Sequence, residues 1–263
     1  MLLQIRTRTR YRHGPQDRDA QGSSGSGCEA LPLDVTADDA TVNDIVAKAH
    51  ALYGRIDVLV NNAGYAAVGA VEEVNSEEAQ AIFDTNVFGL LRVTRAVLPY
   101  MREKRSGVIA NIGSLAGYAA LPACGIYCAT KFAVAGLTQS LRQEVAGFGI
   151  DVTVVDLGMF QTNINNANQF AKRSIPNYAP FIEHFKNITT NGDGVPLGDP
   201  AKGAQAVVET LTQTGRCEGR ALPNRMPLGG NVNDLIQHVL TTGQKELNEW
   251  KYFTDAKAFA FGS

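Results

Sequence analysis

Short apolar segments alternate with longer segments of helical periodicity along most of this 263-residue chain. The predicted strands lie at 29–35, 56–61, 107–112, 151–157 and 221–228. The predicted helices lie at about 36–53, 76–102, 125–146, 199–213 and 231–250. Continuous apolar strands such as IDVLVN and DVTVVDL are typical of parallel strands buried on both faces. Because parallel strands need crossover helices, the alternation predicts an α/β protein with a doubly wound parallel sheet.

Composition narrows the classes of partner. Apolar residues make up 44% of the chain, charged residues 19%, and the formal net charge is −2, which indicates a soluble protein without nucleic acid as a partner. No apolar run approaches the roughly 20 residues of a membrane span. The four cysteines lack metal-site spacing, so we expect no metal, free thiols and a cytoplasmic location.

The first residues differ from the rest. Residues 1–27 are rich in arginine, glycine and serine and hold few apolar side chains. Such a composition cannot bury much surface, so we expect a disordered or atypical N-terminal tail followed by a single domain over residues 28–263.

Polar and small residues follow two predicted strands. Asn61-Asn62-Ala63-Gly64 ends one strand, and Ser114 comes just after another. Ligands of open parallel sheets bind at the carboxyl ends of the strands, and small residues let the backbone approach a ligand closely. A plain turn at 61–64 and a loop serine without a task are the alternatives.

A tyrosine and a lysine stand four residues apart on a predicted helix. Tyr127 and Lys131 share a helix face, and a neighbouring ammonium is expected to lower the pKa of a phenol towards the working range of a general acid or base. Ser114 could hydrogen-bond the same substrate oxygen. Asn86, in the middle of a long predicted helix near Gly89, could hold a water, or it could simply face solvent.

Taken together, these residues resemble the core pattern of the short-chain dehydrogenase/reductase family. The likeness includes PLDVT (32–36), GRIDVLVNNAG (54–64), TNVFG (85–89) and YCATKFAV (127–134). It is close over about 28–165, and it is nearest to the branch resembling 17β-hydroxysteroid and retinol dehydrogenases. The resemblance implies a Rossmann-like fold.

The resemblance also implies roles for single residues. Tyr127 would be the general acid/base, Lys131 would lower its pKa and bind the nicotinamide ribose, Ser114 would orient the substrate oxygen, and Asn86 would keep a proton-relay water. The residues implied in cofactor binding are Asp34, Asn61, Ala63, Gly64, Tyr127, Lys131 and Thr162. The branch favours NADP(H), with NAD(H) as the alternative, and a homodimer is also implied.

The family's glycine-rich TGxxxGxG loop is missing from the start of this sequence. Only Gln21–Gly27 (QGSSGSG) faintly echoes it before Asp34, so the first βαβ unit is predicted to be incomplete or replaced, without its central strand. One explanation is a recorded N-terminus that differs from the natural one, which the arginine-rich opening favours. The other is a real loss that weakens cofactor binding. Leu157-Gly158 also stands where the family has Pro-Gly.

Two functions follow from these patterns. The first is an oxidoreductase that transfers a hydride between a nicotinamide cofactor and a lipophilic ketone or alcohol, in secondary or lipid metabolism. The second is a non-catalytic or repurposed relative with impaired cofactor binding. The segment 159–198, with its phenylalanines, reads either as an apolar lid over a substrate pocket or as ordinary core.

Overall fold

Five parallel strands form the main sheet in the order β1-β2-β4-β5-β7. The computed structural model describes residues 2–5, 29–162, 168–191, 197–230 and 232–254. The strands of the main sheet are β1 (Leu2–Ile5), β2 (Val58–Asn61), β4 (Gly107–Ile112), β5 (Ile150–Leu157) and β7 (Arg225–Leu228). Two short strands, β3 (Ala67–Val68) and β6 (Gln169–Phe170), pair in parallel as a second sheet.

Helices follow the strands in sequence. They are α1 (Asp39–Tyr53), α2 (Ser76–Phe83), α3 (Leu90–Lys104), α4 (Gly125–Val145), α5 (Ala179–Asn191), α6 (Pro200–Thr212) and α7 (Val232–Thr254). Their first residues follow the capping rules: Asp38 accepts a hydrogen bond from the Thr41 N–H, and Asp199 precedes Pro200 at the start of α6. The predicted α/β Rossmann-like class is confirmed. Among the helices in the described part of the chain, none combines the length and apolar character that crossing a membrane requires.

The sheet is covered on both faces. Leu59, Ile109 and Val152 lie opposite one another on β2, β4 and β5 and pack against α1 and α3. The alternate residues Val60 and Ala110 pack in a second core, together with side chains of α6. Burial on both faces explains why these strands read as continuous apolar runs in the sequence.

Two expectations about the N-terminal region are wrong where the chain is described. Leu2–Ile5 form a strand that pairs in parallel with β2, so these residues are not a loose tail and the sheet does have a strand on that side. The segment 29–35 forms no strand, because no neighbouring strand offers it a ladder of hydrogen bonds. Its side chains Leu33 and Val35 are nevertheless buried in the core beside α1 and α3. The remaining residues of the predicted tail, 6–27, lie outside the described residues.

The long helix predicted over 76–102 is interrupted. A π-helical segment, Asp84–Gly89, separates α2 from α3. Gly89 lies against Val35, and a Cβ at this position would come 2.7 Å from Val35 Cγ2. Wide helical turns of this kind often occur at functional sites, and this one contains Asn86.

A chain of buried amides joins β2 and β4 to the helices on one face. Asn61 Nδ2 donates to Asn111 Oδ1 at 2.8 Å and to Thr94 Oγ1 at 2.9 Å, and Asn111 Nδ2 donates to Thr138 Oγ1 at 2.9 Å. Unpaired, each of these groups would carry a desolvation penalty. These hydrogen bonds therefore fix the end of β2, which carries the Asn-Asn-Ala-Gly turn, relative to α3 and α4.

We predict that Asn111→Ala lowers the free energy of unfolding by about 2 kcal/mol, because it removes two buried hydrogen bonds, one from the Asn61 amide and one to the Thr138 hydroxyl. Denaturant unfolding followed by circular dichroism measures the change. Asn62→Ala, at an exposed neighbour of the same chain of amides, is the control. Equal stabilities for the two variants would contradict a stabilising role for the buried amides.

Candidate active site

The predicted catalytic residues lie at the carboxyl edge of the main sheet and on α4 beside it. Ser114 follows β4, Asn86 lies in the π-helical segment, and Tyr127 and Lys131 lie in the first two turns of α4. Lys131 Nζ lies 5.7 Å from the centre of the Tyr127 ring, so the two side chains share one face of the helix as predicted. The fold thus brings together residues that are separated by up to 45 positions in the sequence.

Asn86 joins three segments of the chain. Its Oδ1 accepts the Tyr65 N–H at 3.1 Å, and its Nδ2 donates to Tyr65 O at 3.0 Å and to Thr130 Oγ1 at 3.1 Å. Only 2% of the residue is exposed, so the alternative of a solvent-facing asparagine is wrong. Asn86 therefore fixes the turn after β2 against α4, one residue from Lys131. Its expected role in holding a relay water stays a prediction.

Gly64 permits this contact. A Cβ at Gly64 would lie 3.0 Å from Asn86 Oδ1, closer than most Cβ contacts in proteins. A larger residue would push Asn86 away from Tyr65. The small residue in the Asn-Asn-Ala-Gly turn is therefore needed by the neighbouring asparagine, a reason that the sequence pattern did not reveal.

Lys131 is a buried amine. It is 8% exposed, and its Nζ donates to Ile112 O at 2.8 Å, at the end of β4. Burial disfavours the ammonium and lowers the pKa of Lys131 to about 8, while the negative charge of Asp156 opposes the change. At neutral pH the side chain still carries its positive charge.

Tyr127 differs electrostatically from the sequence-based expectation. Burial raises the pKa of the Tyr127 phenol to about 12, and a hydrogen bond with the Ser114 side chain opposes this rise. The sequence predicts that Lys131 lowers this pKa; in the described structure desolvation outweighs any such effect. Tyr127 is therefore a neutral phenol at physiological pH, and its expected role as general acid or base stays a prediction.

Ser114 lies between the strand end and the tyrosine. Its Oγ accepts the Ala116 N–H at 3.1 Å and thereby begins the short turn Leu115–Gly117. The residue is 9% exposed, and its hydroxyl contacts the Tyr127 phenol. Ser114 and Tyr127 can therefore both reach one substrate oxygen.

The comparisons agree with this geometry. The sequence model of the family described as short chain dehydrogenase matches residues 14–172. The chain belongs to this family. An oxidoreductase of Bacillus subtilis is 35% identical over 184 residues, which cover 69% of this chain and 65% of the relative. The 3-ketodihydrosphingosine reductase of Bacteroides thetaiotaomicron is 42% identical over 136 residues, which cover 52% of this chain and 50% of the relative. The chain thus spans about half to two thirds of the length of these curated relatives.

Two solved structures are also similar. A short-chain dehydrogenase from Streptomyces avermitilis has a TM-score of 0.78 and 38% sequence identity, and the match covers 87% of this chain and 80% of the other. A gluconate 5-dehydrogenase from Burkholderia cenocepacia, solved with NADP and tartrate, has a TM-score of 0.60 and 25% identity, with 77% and 74% covered.

The remaining residues implied in cofactor binding have contacts of their own within the fold. Asp34 Oδ1 accepts hydrogen bonds from the backbone N–H and the hydroxyl of Thr36, at 2.9 and 2.7 Å. Asn61 uses its amide within the sheet, as described above, and Ala63 packs partly against the core. Thr162 is exposed beyond the end of β5. Contacts of these residues with a cofactor stay predictions.

The residues present fit the nicotinamide end of such a cofactor. Of the three N–H donors on Lys131 Nζ, the described residues accept one, at Ile112 O, so the buried amine has donors for the hydroxyl groups of a ribose. A buried cation with unused donors at the carboxyl edge of a parallel sheet is what a sugar–phosphate ligand requires. Lys131 and Tyr127 would hold the nicotinamide ribose, and the cofactor, when bound, would supply or accept the hydride.

Apolar side chains and two thiols surround the phenol. Tyr127 packs against one buried cluster that contains Tyr65 and Ile82, and against a second that contains Cys124 and Cys128 and that Phe185 also contacts. The two sulfur atoms lie 3.6 Å apart as free thiols. Burial and, to a smaller extent, the electrostatic effect of Cys124 and Cys128 raise the pKa of the Tyr127 phenol.

The predicted lid segment is tied to β3 and to the loop between β3 and α2. Glu73 accepts the Ile175 N–H at 2.7 Å and the Ala70 N–H at 2.8 Å, and β6 pairs with β3. Phe185 on α5 reaches the cluster around Tyr127, which supports the reading of a lid. Phe160 instead packs against Gly198, Gly203 and Gly229 and belongs to the framework. Residues 163–167 and 192–196 of this segment lie outside the described residues.

We predict that the stability of the protein relative to Lys131→Met rises with pH. The pKa of Lys131 is about 8 in the folded state and near 10.5 in the unfolded chain, so below pH 8 the buried ammonium costs about 3 kcal/mol. That cost disappears as the pH rises from 8 to 10.5, because the folded state loses its proton first. Denaturant unfolding at a series of pH values measures the difference.

The control for this prediction is Lys48→Met, which removes an exposed lysine of α1. Its stability relative to wild type should not change with pH. If the difference in stability between the wild type and Lys131→Met were also independent of pH, the amine would not be buried as described.

Proposed function

We propose that this protein is a nicotinamide-dependent oxidoreductase that transfers a hydride between NADP(H) and a lipophilic ketone or alcohol. The observation that carries the proposal is the convergence of Asn86, Ser114, Tyr127 and Lys131 at the carboxyl edge of the sheet. Family membership supports the reaction type.

Each residue has a separate task in the proposed reaction. The Tyr127 phenol, protonated because burial raises its pKa, donates its proton to the carbonyl oxygen of the substrate. Ser114 donates a hydrogen bond to the same oxygen, and the charged Lys131 stabilises the phenolate that remains. Asn86 keeps α4 and the turn after β2 in register. The reaction in the opposite direction takes the proton from an alcohol by the same groups.

The apolar surroundings of Tyr127 support a lipophilic substrate. Apart from Ser114 and Lys131, which act on the reacting oxygen, Tyr127 packs against clusters of aromatic, aliphatic and sulfur-containing side chains. Such surroundings favour apolar groups next to the reacting carbonyl. A relative whose name specifies a keto compound, 3-ketodihydrosphingosine reductase, supports the same class, as does the resemblance to 17β-hydroxysteroid and retinol dehydrogenases. We propose that the protein acts on an apolar ketone in the cytoplasm, in secondary or lipid metabolism.

The preference for NADP(H) rests on resemblance to that branch and on the NADP complex of the gluconate 5-dehydrogenase. The family's TGxxxGxG loop has no counterpart in this sequence, and the residues between Ile5 and Glu29 that would replace it lie outside the described ones. Fluorescence titration with NADPH and NADH tests the preference. Binding of NADPH at micromolar concentrations supports the proposal, and no binding of either at millimolar concentrations would favour the non-catalytic alternative.

We predict that Tyr127→Phe lowers turnover by a factor of about 10² to 10⁴, because the substrate oxygen loses its proton donor. A panel of steroid and long-chain aliphatic ketones with NADPH, followed by the nicotinamide absorbance, provides the assay. The fold should be unchanged by circular dichroism. Tyr53→Phe, at an exposed tyrosine of α1, is the control and should keep full activity. Undiminished turnover by Tyr127→Phe would refute the proposed reaction.

A homodimer is a further part of the proposal. The π-helical segment and α4 pack against each other, and each exposes a phenylalanine: Phe88 is 42% exposed and Phe132 is 46% exposed. Two large apolar side chains on adjoining helices favour burial against a second copy of the chain.

We predict that light scattering gives twice the 28.2 kDa mass of one chain, and that Phe132→Asp gives the monomer, because a carboxylate cannot be buried unpaired in an apolar interface. Phe148→Asp changes an exposed phenylalanine near the other end of α4 and is the control. A monomeric wild-type protein would contradict the prediction.

A further inference from the structure

An ion pair lies beneath the candidate active site, and the proposed reaction assigns it no role. Asp156, on β5, has no exposed surface, and Arg225 lies on the neighbouring strand β7. Arg225 Nε donates to Asp156 Oδ2 at 2.7 Å, and Arg225 Nη2 donates to Asp156 Oδ1 at 2.8 Å. This forked geometry holds the carboxylate in one orientation.

The carboxylate also contacts the segment that carries Ser114. It accepts the backbone N–H of Ser114, while the Gly113 N–H bonds Val155 O at 2.8 Å. A Cβ at Gly113 would lie 2.5 Å from Asp156 Oδ1, so a glycine is needed for the approach. The position of Ser114 therefore depends on Asp156.

The guanidinium of Arg225 holds the other end of the same turn. Its Nη2 donates to Gly117 O at 3.3 Å, and its central carbon, Cζ, lies 3.4 Å from the centre of the Tyr118 ring. The ion pair thus contacts the turn after β4 at Ser114, Gly117 and Tyr118. Stacking of this kind requires the planar group of an arginine.

The same carboxylate acts on the buried amine of Lys131. Four groups face Lys131: the Tyr127 phenol from its own helix, the Ile112 carbonyl from β4, Asp156 from β5 and, behind it, Arg225 from β7. Burial lowers the pKa of Lys131, and the charge of Asp156 raises it. Burial raises the pKa of Asp156 itself, and Arg225 lowers it. Arg225 therefore keeps the carboxylate charged, and the carboxylate helps to keep Lys131 charged.

We propose that Asp156, held ionised by Arg225, is a positioning residue that fixes Ser114 and keeps Lys131 protonated. The inference rests on the proposed function, because it gives the pair a task in that reaction. Replacing a buried ion pair by apolar side chains is often neutral or even stabilising, so stability alone gives little reason for this one. The bond from the Ser114 N–H to Asp156 and the electrostatic effect of Asp156 on Lys131 give a reason.

The first test is Asp156→Asn, which keeps the size of the side chain and removes its charge. Lysine labelled with ¹³C reports the titration of Lys131 by nuclear magnetic resonance in the free protein, with the signal assigned from its loss in Lys131→Met. We expect the midpoint to fall by about one pH unit, because an opposite charge has been removed. Glu209→Gln, which breaks a surface pair with Arg216 on the far side of the sheet, should leave the midpoint unchanged.

Turnover provides the second readout. With a ketone accepted from the panel above, the alkaline limb of the pH–rate profile of Asp156→Asn should move to lower pH by the same amount as the Lys131 midpoint. Arg225→Lys keeps a positive charge but loses the fork and the stacking. It should keep the midpoint near that of the wild type and lower kcat severalfold, because the Ser114 turn is no longer held. Arg225→Gln should shift the midpoint downwards, as Asp156→Asn does.

A folded Asp156→Asn variant with an unchanged Lys131 midpoint would overturn the inference, as would lower stability with an unchanged pH–rate profile. If Asp156→Asn does not fold, the Lys131 midpoints of Arg225→Lys and Arg225→Gln are compared instead. Equal midpoints in these two variants would overturn the inference. The titration needs neither cofactor nor substrate. Failure of the proposed reaction, shown by an active Tyr127→Phe, is therefore separate from failure of the ion-pair inference.

Discussion

Burial of one ammonium group is the constraint on which the site depends. Lys131 lies under the ends of β4 and β5, where its Nζ donates a hydrogen bond to Ile112 O and is stabilised in its charged form by the negative charge of Asp156. A buried cation is costly unless it is paired and hydrogen-bonded, so the surrounding structure has to supply both. The strand ends, the ion pair below and the first turns of α4 are arranged around this group. An apolar core alone would have excluded it.

Polar groups in the core give the site its geometry. Asn86 bonds Tyr65 and Thr130, and the amides of Asn61 and Asn111 link β2 and β4 to α3 and α4. Each bond adds little net stability, but each unsatisfied atom would cost more. Such networks therefore favour a single arrangement of strands and helices over alternative packings of similar apolar area. A proton donor can lie close to one particular substrate oxygen only if its supports have a unique arrangement.

The sequence predicted what depends on local patterns. The bounds of β4 and α4 and the common face of Tyr127 and Lys131 follow from periodicity and spacing. It failed where pairing is non-local: Leu2–Ile5 form a strand because they pair with β2, while 29–35 pair with no strand of the described residues. Arg225 lies 69 positions from Asp156, and no local signal joins them. An aspartate inside the apolar run DVTVVDL was nevertheless a clue, since a buried carboxylate requires a partner.

The electrostatics of the site favour donation of a proton over its removal. The Tyr127 phenol, with a pKa near 12, holds its proton at neutral pH, whereas the nearby ammonium of Lys131, with a pKa of about 8, is only moderately stable in its charged form. When the phenol gives its proton to a substrate oxygen, the resulting phenolate meets a cation already in place. Proton transfer in the proposed reaction would thus replace the isolated charge of the Lys131 ammonium by a pair of opposite charges, the ammonium and the Tyr127 phenolate. Burial therefore keeps the phenol protonated before the proposed transfer, while the positive charge of Lys131 and the hydrogen bond with Ser114 offset part of the cost of the phenolate that would form.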